Sequence, residues 1–549
     1  MSAVLIAVVA FGAFALAYKF YGGFLAGKLF GVDPKRRTPA HEMNDGVDFV
    51  PTRRSVLFGH HFTSIAGVGP IAGPAIAVIW GWVPALLWVV LGAIFIGGVH
   101  DLGALVASSR HGGRSVGDVA RDVISPAART LFLLVISFMI LVVLAVFGLV
   151  IGILFTMYPI SVLPIWLEVP LAIWMGYMIH ERGGRLEVWS LIALGIMYLT
   201  IYLGTLLPLH IPPIFGSELT TWIVVLMVYC YIASTLPVHR LLQPRDYINS
   251  HELFVAMVLM VLGLLLMHPK VVAPALNVHP EGAPPILPFL FVVVACGAIS
   301  GFHSLVASGT SSKQLSNEGD AQLVGYGSML AEGTLAVLVI LACVAGIGSH
   351  EAWSQHYISW AAAKGLGAKL GAFVEGGANF LGALGIPHKL GTGILAVVVV
   401  SFAATTLDTA TRIQRYVITE LASAYRVPLL SKRHPATLLA VGSALVLALA
   451  KGGGKGGMVL WPLFGTSNQL LAGLALLVIS AYLLRKAKPL RYTLLPMLFM
   501  MTMTGWATVH EFGGFMSKGQ YGLAFIGGAV LALEVGIIVE AVKVFLRGR

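Results

Sequence analysis

The chain has 549 residues, 58% of them hydrophobic and only 11% charged, with a mean hydropathy of +0.88. That balance excludes an ordinary soluble domain and predicts a polytopic all-α membrane protein. The net charge of +11 does not point to nucleic acid, because the basic residues lie in short stretches between apolar segments, as membrane topology distributes them.

Hydropathy and length predict about fifteen spans, at 2–27, 55–80, 84–108, 130–156, 160–179, 188–208, 219–236, 252–268, 286–309, 327–347, 391–412, 436–450, 458–483, 490–508 and 521–545. Ala15–Leu16–Ala17 mimics a signal-peptidase site. There is no basic n-region, so an uncleaved first span with its N-terminus outside is expected. Lys and Arg then collect in alternate loops and the C-terminus falls in the cytoplasm, provided that 349–390 does not cross. Phe373–Leu384 is therefore expected as an outer re-entrant or amphipathic hairpin. The cysteines Cys230, Cys296 and Cys343 lie in apolar segments without CxxC spacing, which predicts neither a disulfide framework nor a metal cluster. Lys451–Gly457 is glycine-rich but lacks the order of a phosphate loop and reads as an outer turn.

The second span carries Gly67, Gly69 and Pro70 at its centre, and the ninth carries Gly297 and Gly301. Such residues interrupt the helical hydrogen-bond ladder, and lipid supplies no replacement partners. On the predicted topology the two interrupted spans run in opposite directions, as an inverted repeat requires. Paired broken helices in two halves of a membrane protein are the best sequence pointer to a binding site. Two halves follow, 55–208 and 286–483, with 219–268 inserted and 490–549 as C-terminal helices. This layout resembles the LeuT-type 5+5 fold of the amino acid–polyamine–organocation transporters.

Free amides and the positive dipole ends of the half-helices suit an anion such as a carboxylate. The substrate-binding candidates are Thr63, Ser64, Gly67, Gly69 and Pro70 on one segment and Ser300, Gly301, His303 and Ser304 on the other. In the eleventh span Ser401, Thr405, Asp408 and Arg412 share a face at 3.6 residues per turn. An intramembrane Asp is costly and by default functional, although an Asp408–Arg412 i,i+4 pair anchoring the helix end is the structural alternative. The LeuT-type resemblance implies that Thr405, Thr406 and Asp408 occupy a sodium-site position, or that Asp408 carries a proton. His100–Asp101 and Glu332 are further ion-coupling candidates, since a carboxylate beside an imidazole can relay protons near neutral pH. His60 and His61 diverge by about 100° on a helix and are not expected to share one metal.

The block Thr38–Pro51, running into Leu57–Gly67 and Gly69–Pro74, resembles the signature of the carbon starvation protein A family. Gly98–Asp101, Arg110–Ser115, Ser300–Gln314 and Thr405–Arg412 extend the resemblance. It implies a proton-driven bacterial inner-membrane transporter linked to peptide use and pyruvate uptake during nutrient limitation. The expectation is therefore a proton- or sodium-coupled symporter of pyruvate or another small carboxylate, with short peptides as the alternative substrate. No cofactor, metal or nucleic acid is expected, and the rival classes are a channel and a nutrient sensor. No HExxH or GxSxG motif marks a hydrolase.

Overall fold

The computed structural model describes residues 1–363, 365–450, 452 and 456–547, so most of the predicted glycine-rich turn lies outside it. Among the described residues the protein is helical throughout, with no strand. Among those residues eleven helices are long and apolar enough to cross a membrane, or twelve with one bent pair counted as a span. The elements that position the site are α1 (Ala3–Leu29), α2 (Arg54–Ile65), α3 (Gly69–Trp80), α4 (Trp82–Ser109), α5 (Pro126–Met157), α6 (Pro159–His180), α7 (Leu186–Leu206), α8 (Glu218–Thr235) and α9 (Leu242–Met267). They continue with α10 (Ile286–Val293), α11 (Gly301–Val306, extending to residue 314), α12 (Glu318–Gly346), α13 (Leu366–Ala383), α14 (His388–Ala424), α15 (Arg433–Leu449), α16 (Gly456–Arg485), α17 (Arg491–Ser517) and α18 (Tyr521–Arg547).

Local sequence explains the longest elements. At α5, Ser125 caps the helix by accepting the Ala128 amide at 3.1 Å, and Pro126 fills the first turn, where a missing N–H costs nothing. Helix α9 starts at Leu242, well before the hydropathic span at 252, and α14 runs past 412 to Ala424. In both cases the additional turns carry polar residues that a hydropathy window rejects and the protein interior satisfies. Arg245, Arg412 and Arg415 are buried in these helices. The 349–390 segment folds as two short helices, His350–Tyr357 and Trp360–Ala363, followed by α13.

Both glycine-interrupted segments are broken. Helices α2 and α3 meet at a 47° bend, and α10 and α11 are separated by the non-helical stretch 294–300. They lie side by side and antiparallel: His60 and His61 reach Thr310 and Ser311, Gly69 stands against Cys296, and Gly73 stands against Val293 and Val294. Residue numbers rise on one segment as they fall on the other. Small residues permit this approach, as in close-packed membrane helices. A methyl at Gly73 would lie 2.6 Å from the Val293 carbonyl oxygen, and one at Gly97 would strike the Ala298 carbonyl.

Overpacking at such a contact typically costs about 1–3 kcal/mol. Gly73→Val is therefore expected to lower the thermal unfolding midpoint of the detergent-purified protein. Gly12→Val, with open space around its Cα, should leave the midpoint in place.

Candidate functional site

At the first break, α2 ends when Ala66 turns to φ −76°, ψ +32°, and α3 restarts with Pro70 in its first turn. The Thr406 hydroxyl donates to the Ser64 carbonyl at 3.1 Å, and the Ser64 and Thr409 hydroxyls lie 3.0 Å apart. Gly67 packs on Thr406 and the Phe147 ring. Thr63 keeps its hydroxyl on its own helix, donating to the Gly59 carbonyl at 2.8 Å.

At the second break the freed peptide groups meet protein. Gly297 takes φ +89°, open to glycine alone at little cost, and its amide donates to Glu332 Oε1 at 3.1 Å. The Trp88 indole donates to the Val294 carbonyl at 2.9 Å. Asn468 on α16 accepts the Phe302 amide at 3.0 Å and bonds the Ser300 hydroxyl, so it caps α11. Gly301 lies against the α16 backbone, and the Ser304 hydroxyl donates to the Gly301 carbonyl at 2.7 Å.

Two clusters of titratable groups flank the breaks. In the first, His100 Nδ1 lies 2.7 Å from Asp101 Oδ1, His303 Nδ1 3.1 Å from Asp101 Oδ2, and His303 Nε2 3.4 Å from Glu332 Oε2. All four residues are fully buried, and Cys296 Sγ falls within 4.8 Å of the His303 and Glu332 ligand atoms. The second cluster joins α14 to the inserted helices. Arg245 on α9 pairs with Glu168 on α6 at 2.9 Å and with Asp408 on α14. The Tyr229 hydroxyl donates to Asp408 and accepts from Arg245, both at 2.8 Å. Next to it, Asp246 lies 2.5 Å from His60 Nδ1, while His60 Nε2 faces Thr310 at 3.2 Å. Asn249 donates to Thr405 at 3.1 Å, and Ser401 reaches Glu168 at 3.5 Å.

Ser401, Thr405, Asp408 and Arg412 thus share one face, turned to α6, α8 and α9 and to the loop before α2. The Asp408–Arg412 pair does not form. Arg412 instead binds Asp48 at 2.7 Å and the Ala233 and Leu236 carbonyls, because Arg245 already occupies Asp408. Asp48 also receives Arg415 at 2.9 Å. Burial opposes ionisation of Asp48, but Arg415, Arg412 and Lys313 together hold its carboxyl well below the usual range. The 43–53 loop is latched by these ion pairs to the inner part of α14, and the Thr52 amide, donating to the Gln314 carbonyl at 3.1 Å, ties it to the end of α11.

The opposite side of the breaks is more open. Gly69, Cys296, Phe464 and Gly465 keep partial exposure, whereas His60, His61, Thr310 and Ser311 have almost none. A line of contacts leads outward: Phe147 packs on Phe464, Phe464 on Trp461, and Lys369 Nζ lies 5.2 Å from the Trp461 ring centroid. No carboxylate among the described residues pairs with Lys369, and burial pushes its ammonium down to about 8.

Sequence reading missed Glu168, Arg245, Asp246, Cys296, Lys369 and Asn468. Glu168 and Asp246 carried the same signal as Asp408, a carboxylate inside or beside an apolar run. Cys296 was set aside on spacing along the chain, which says nothing about partners far away in sequence. Glu252 is another buried carboxylate whose oxygens lack hydrogen-bond partners among the described residues.

Known proteins place this arrangement. The fold is similar to mutants of the Eremococcus coleocola manganese transporter, with TM-scores of 0.53 and 0.51 at 13% identity, covering 92% of this chain and 99% of theirs. Those structures have the LeuT-type fold, and the likeness shows the fold alone. The peptide transporter CstA of Campylobacter jejuni is 35% identical, covering 93% of this chain and 80% of its own length. The pyruvate/proton symporter BtsT of Escherichia coli is 32% identical, covering 92% and 81%. The peptide transporter CstA of Bacillus subtilis is 30% identical, covering 99% and 97%. The family model described as carbon starvation protein CstA matches residues 2–363 and 355–507, and the chain belongs to that family.

Proposed function

We propose that this protein is a secondary active transporter of the bacterial inner membrane that imports pyruvate or a similar small carboxylate. It moves its substrate without transforming it. The observation that carries the reading is the antiparallel pair of broken helices, meeting at Gly69 and Cys296, both of which keep partial exposure. Such a pair is where transporters of this architecture bind cargo. The names of the Escherichia coli and Campylobacter jejuni relatives supply pyruvate and, as the second reading, short peptides. In this proposal 55–208 and 286–483 are the inverted repeats, 219–268 is the insert and 490–549 forms the C-terminal helices. The N-terminus is outside and the C-terminus cytoplasmic. The side latched by Asp48 is then cytoplasmic and closed, and Lys369 stands at the outer approach as a cation for the arriving carboxylate.

Charge balance favours a proton as the coupling ion. Glu168, Asp246 and Asp408 face one guanidinium, Arg245, with His60 beside them. Buried charge must be compensated, so the group approaches neutrality only by holding two protons. Release and rebinding of one of them across the cycle would couple transport. The competing sodium reading, at Thr405, Thr406 and Asp408, keeps only Thr406 at the break, where its hydroxyl meets the Ser64 carbonyl, because Thr405 turns to Asn249 and Asp408 to Tyr229 and Arg245.

Uptake of labelled pyruvate and a labelled dipeptide into proteoliposomes, under separately imposed proton and sodium gradients, tests the proposal. Proton-driven accumulation of pyruvate is expected. Flux without accumulation would indicate a channel, and no flux of either substrate would favour a sensor. Asp408→Asn should abolish proton-driven accumulation yet retain substrate exchange at equal pH; full accumulation in that variant would remove Asp408 from coupling. Arg245→Ala strands two buried carboxylates and is expected to cost about 3–5 kcal/mol of stability, read as early thermal unfolding.

Lys369 is charged below its midpoint, so its attraction for an anion is present at low pH and fades as pH rises through about 8. Losing a charge-assisted contact worth about 1.5 kcal/mol raises KM roughly tenfold. Lys369→Met should show that rise at pH 7 in exchange assays, and its KM should no longer climb through pH 8.

A further inference from the structure

We propose that Cys296, His303 and Glu332 form a binding site for a borderline divalent transition-metal ion such as Zn²⁺, set into the second helix break. The inference is independent of what the protein carries.

The donor set is a thiolate sulfur, an imidazole nitrogen and a carboxylate oxygen, the three ligand types that Zn²⁺ and Co²⁺ accept. Their ligand atoms all lie within 4.8 Å of one another. Two ligands about 2.1 Å from a tetrahedral ion stand about 3.4 Å apart, and His303 Nε2 and Glu332 Oε2 are separated by 3.4 Å. Each ligand is held from behind. The Gly297 amide occupies Glu332 Oε1 at 3.1 Å, which leaves Oε2 for the site. Asp101 receives His303 Nδ1 at 3.1 Å, and His100 in turn fixes Asp101 at 2.7 Å. A carboxylate behind an imidazole of this kind sets the tautomer with Nε2 free to ligate.

Two orphaned atoms point to the occupant. Among the described residues, His303 Nε2 and Glu332 Oε2 have no hydrogen-bond partner although both side chains are fully buried. The two atoms stand 3.4 Å apart, an ion pair when His303 carries a second proton and two facing acceptors when it does not, and a cation bound between them takes that proton's place. A proton would satisfy that pair alone. The third donor, Cys296 Sγ, adds what a metal uses and a proton does not. Cys296 is also the least buried of the three ligands, beside the partly exposed Gly69, which gives the ion its approach from that side. Binding displaces the thiol proton to solvent, so the thiolate becomes a ligand and the three protein donors leave a fourth position open.

Cobalt provides a readout apart from transport. Adding Co²⁺ to the reduced, detergent-purified full-length protein is expected to give a near-ultraviolet thiolate-to-cobalt charge-transfer band at one equivalent, abolished by excess Zn²⁺. Cys296→Ser should lose the band, while Cys230→Ser and Cys343→Ser keep it. Asp101→Asn, which touches no metal, should keep the band but weaken affinity roughly 10–100-fold. Glu332→Gln should keep the charge-transfer band and shift the visible cobalt bands. Absence of the band in the parent protein, or its survival in Cys296→Ser, overturns the proposal.

Discussion

A peptide group inside a bilayer has no water to bond, so each interruption of a membrane helix must be answered by protein or by something the protein binds. This chain contains two such interruptions and sets them against each other. Gly69 meets Cys296, and Gly73 meets the Val293 carbonyl, at distances that leave no room for a side chain. Around that contact the remaining helices supply what the broken ladders lack: Thr406 for the Ser64 carbonyl, Glu332 for the Gly297 amide, Trp88 for the Val294 carbonyl and Asn468 for the start of α11. The positions of α4, α12, α14 and α16 about the centre follow from these obligations as much as from apolar packing.

The same logic governs the buried charges. Arg245 would be prohibitively costly in a lipid-facing helix, yet it forms the hub through which α9 joins α6, α8 and α14. A buried ion pair is weak as a source of net stability but strongly destabilising when half of it is removed. The Arg245 group therefore acts more as a specification of which helices meet than as a reserve of stability. It also concentrates three carboxylates where one guanidinium cannot neutralise them. In the proposed transport cycle that imbalance is the feature that makes proton binding sensitive to conformation.

Closure is unequal on the two sides of the breaks. On one side Asp48, held by Arg412 and Arg415, and Thr52, bonded to Gln314, strap a loop onto α14 and the end of α11, and the polar layer from His60 to Ser311 is sealed. On the other, partial exposure persists from Gly69 and Cys296 to Gly465, bordered by aromatic rings that end at Lys369. In the proposed transporter, such asymmetry would be one of two alternating states of a fixed central site that opens to one face at a time. A latch built from exchangeable ion pairs can release without disturbing apolar packing, which suits it to a moving part.

The membrane class, the two breaks and the family are all legible in the amino-acid order. Twenty-residue apolar runs, helix-breaking residues within them and long motif blocks are all local, so no partner has to be known to see them. That order also marked Asp101, His303, Glu332 and Asp408, because an ionisable residue in an apolar run is expensive wherever its partner lies. The pairings come from the packed fold. Asp408 is joined to Arg245 from another helix and not to Arg412 one turn away, and Cys296 stands with His303 and Glu332 although its spacing to other cysteines excluded a cluster. The true lengths of α9 and α14 were equally hidden, since hydropathy reads Arg245, Asp246 and Arg412 as unfit for a membrane interior. Partners contributed by other helices and by the loop before α2 make them fit, and hydropathy along one chain contains no information about such partners.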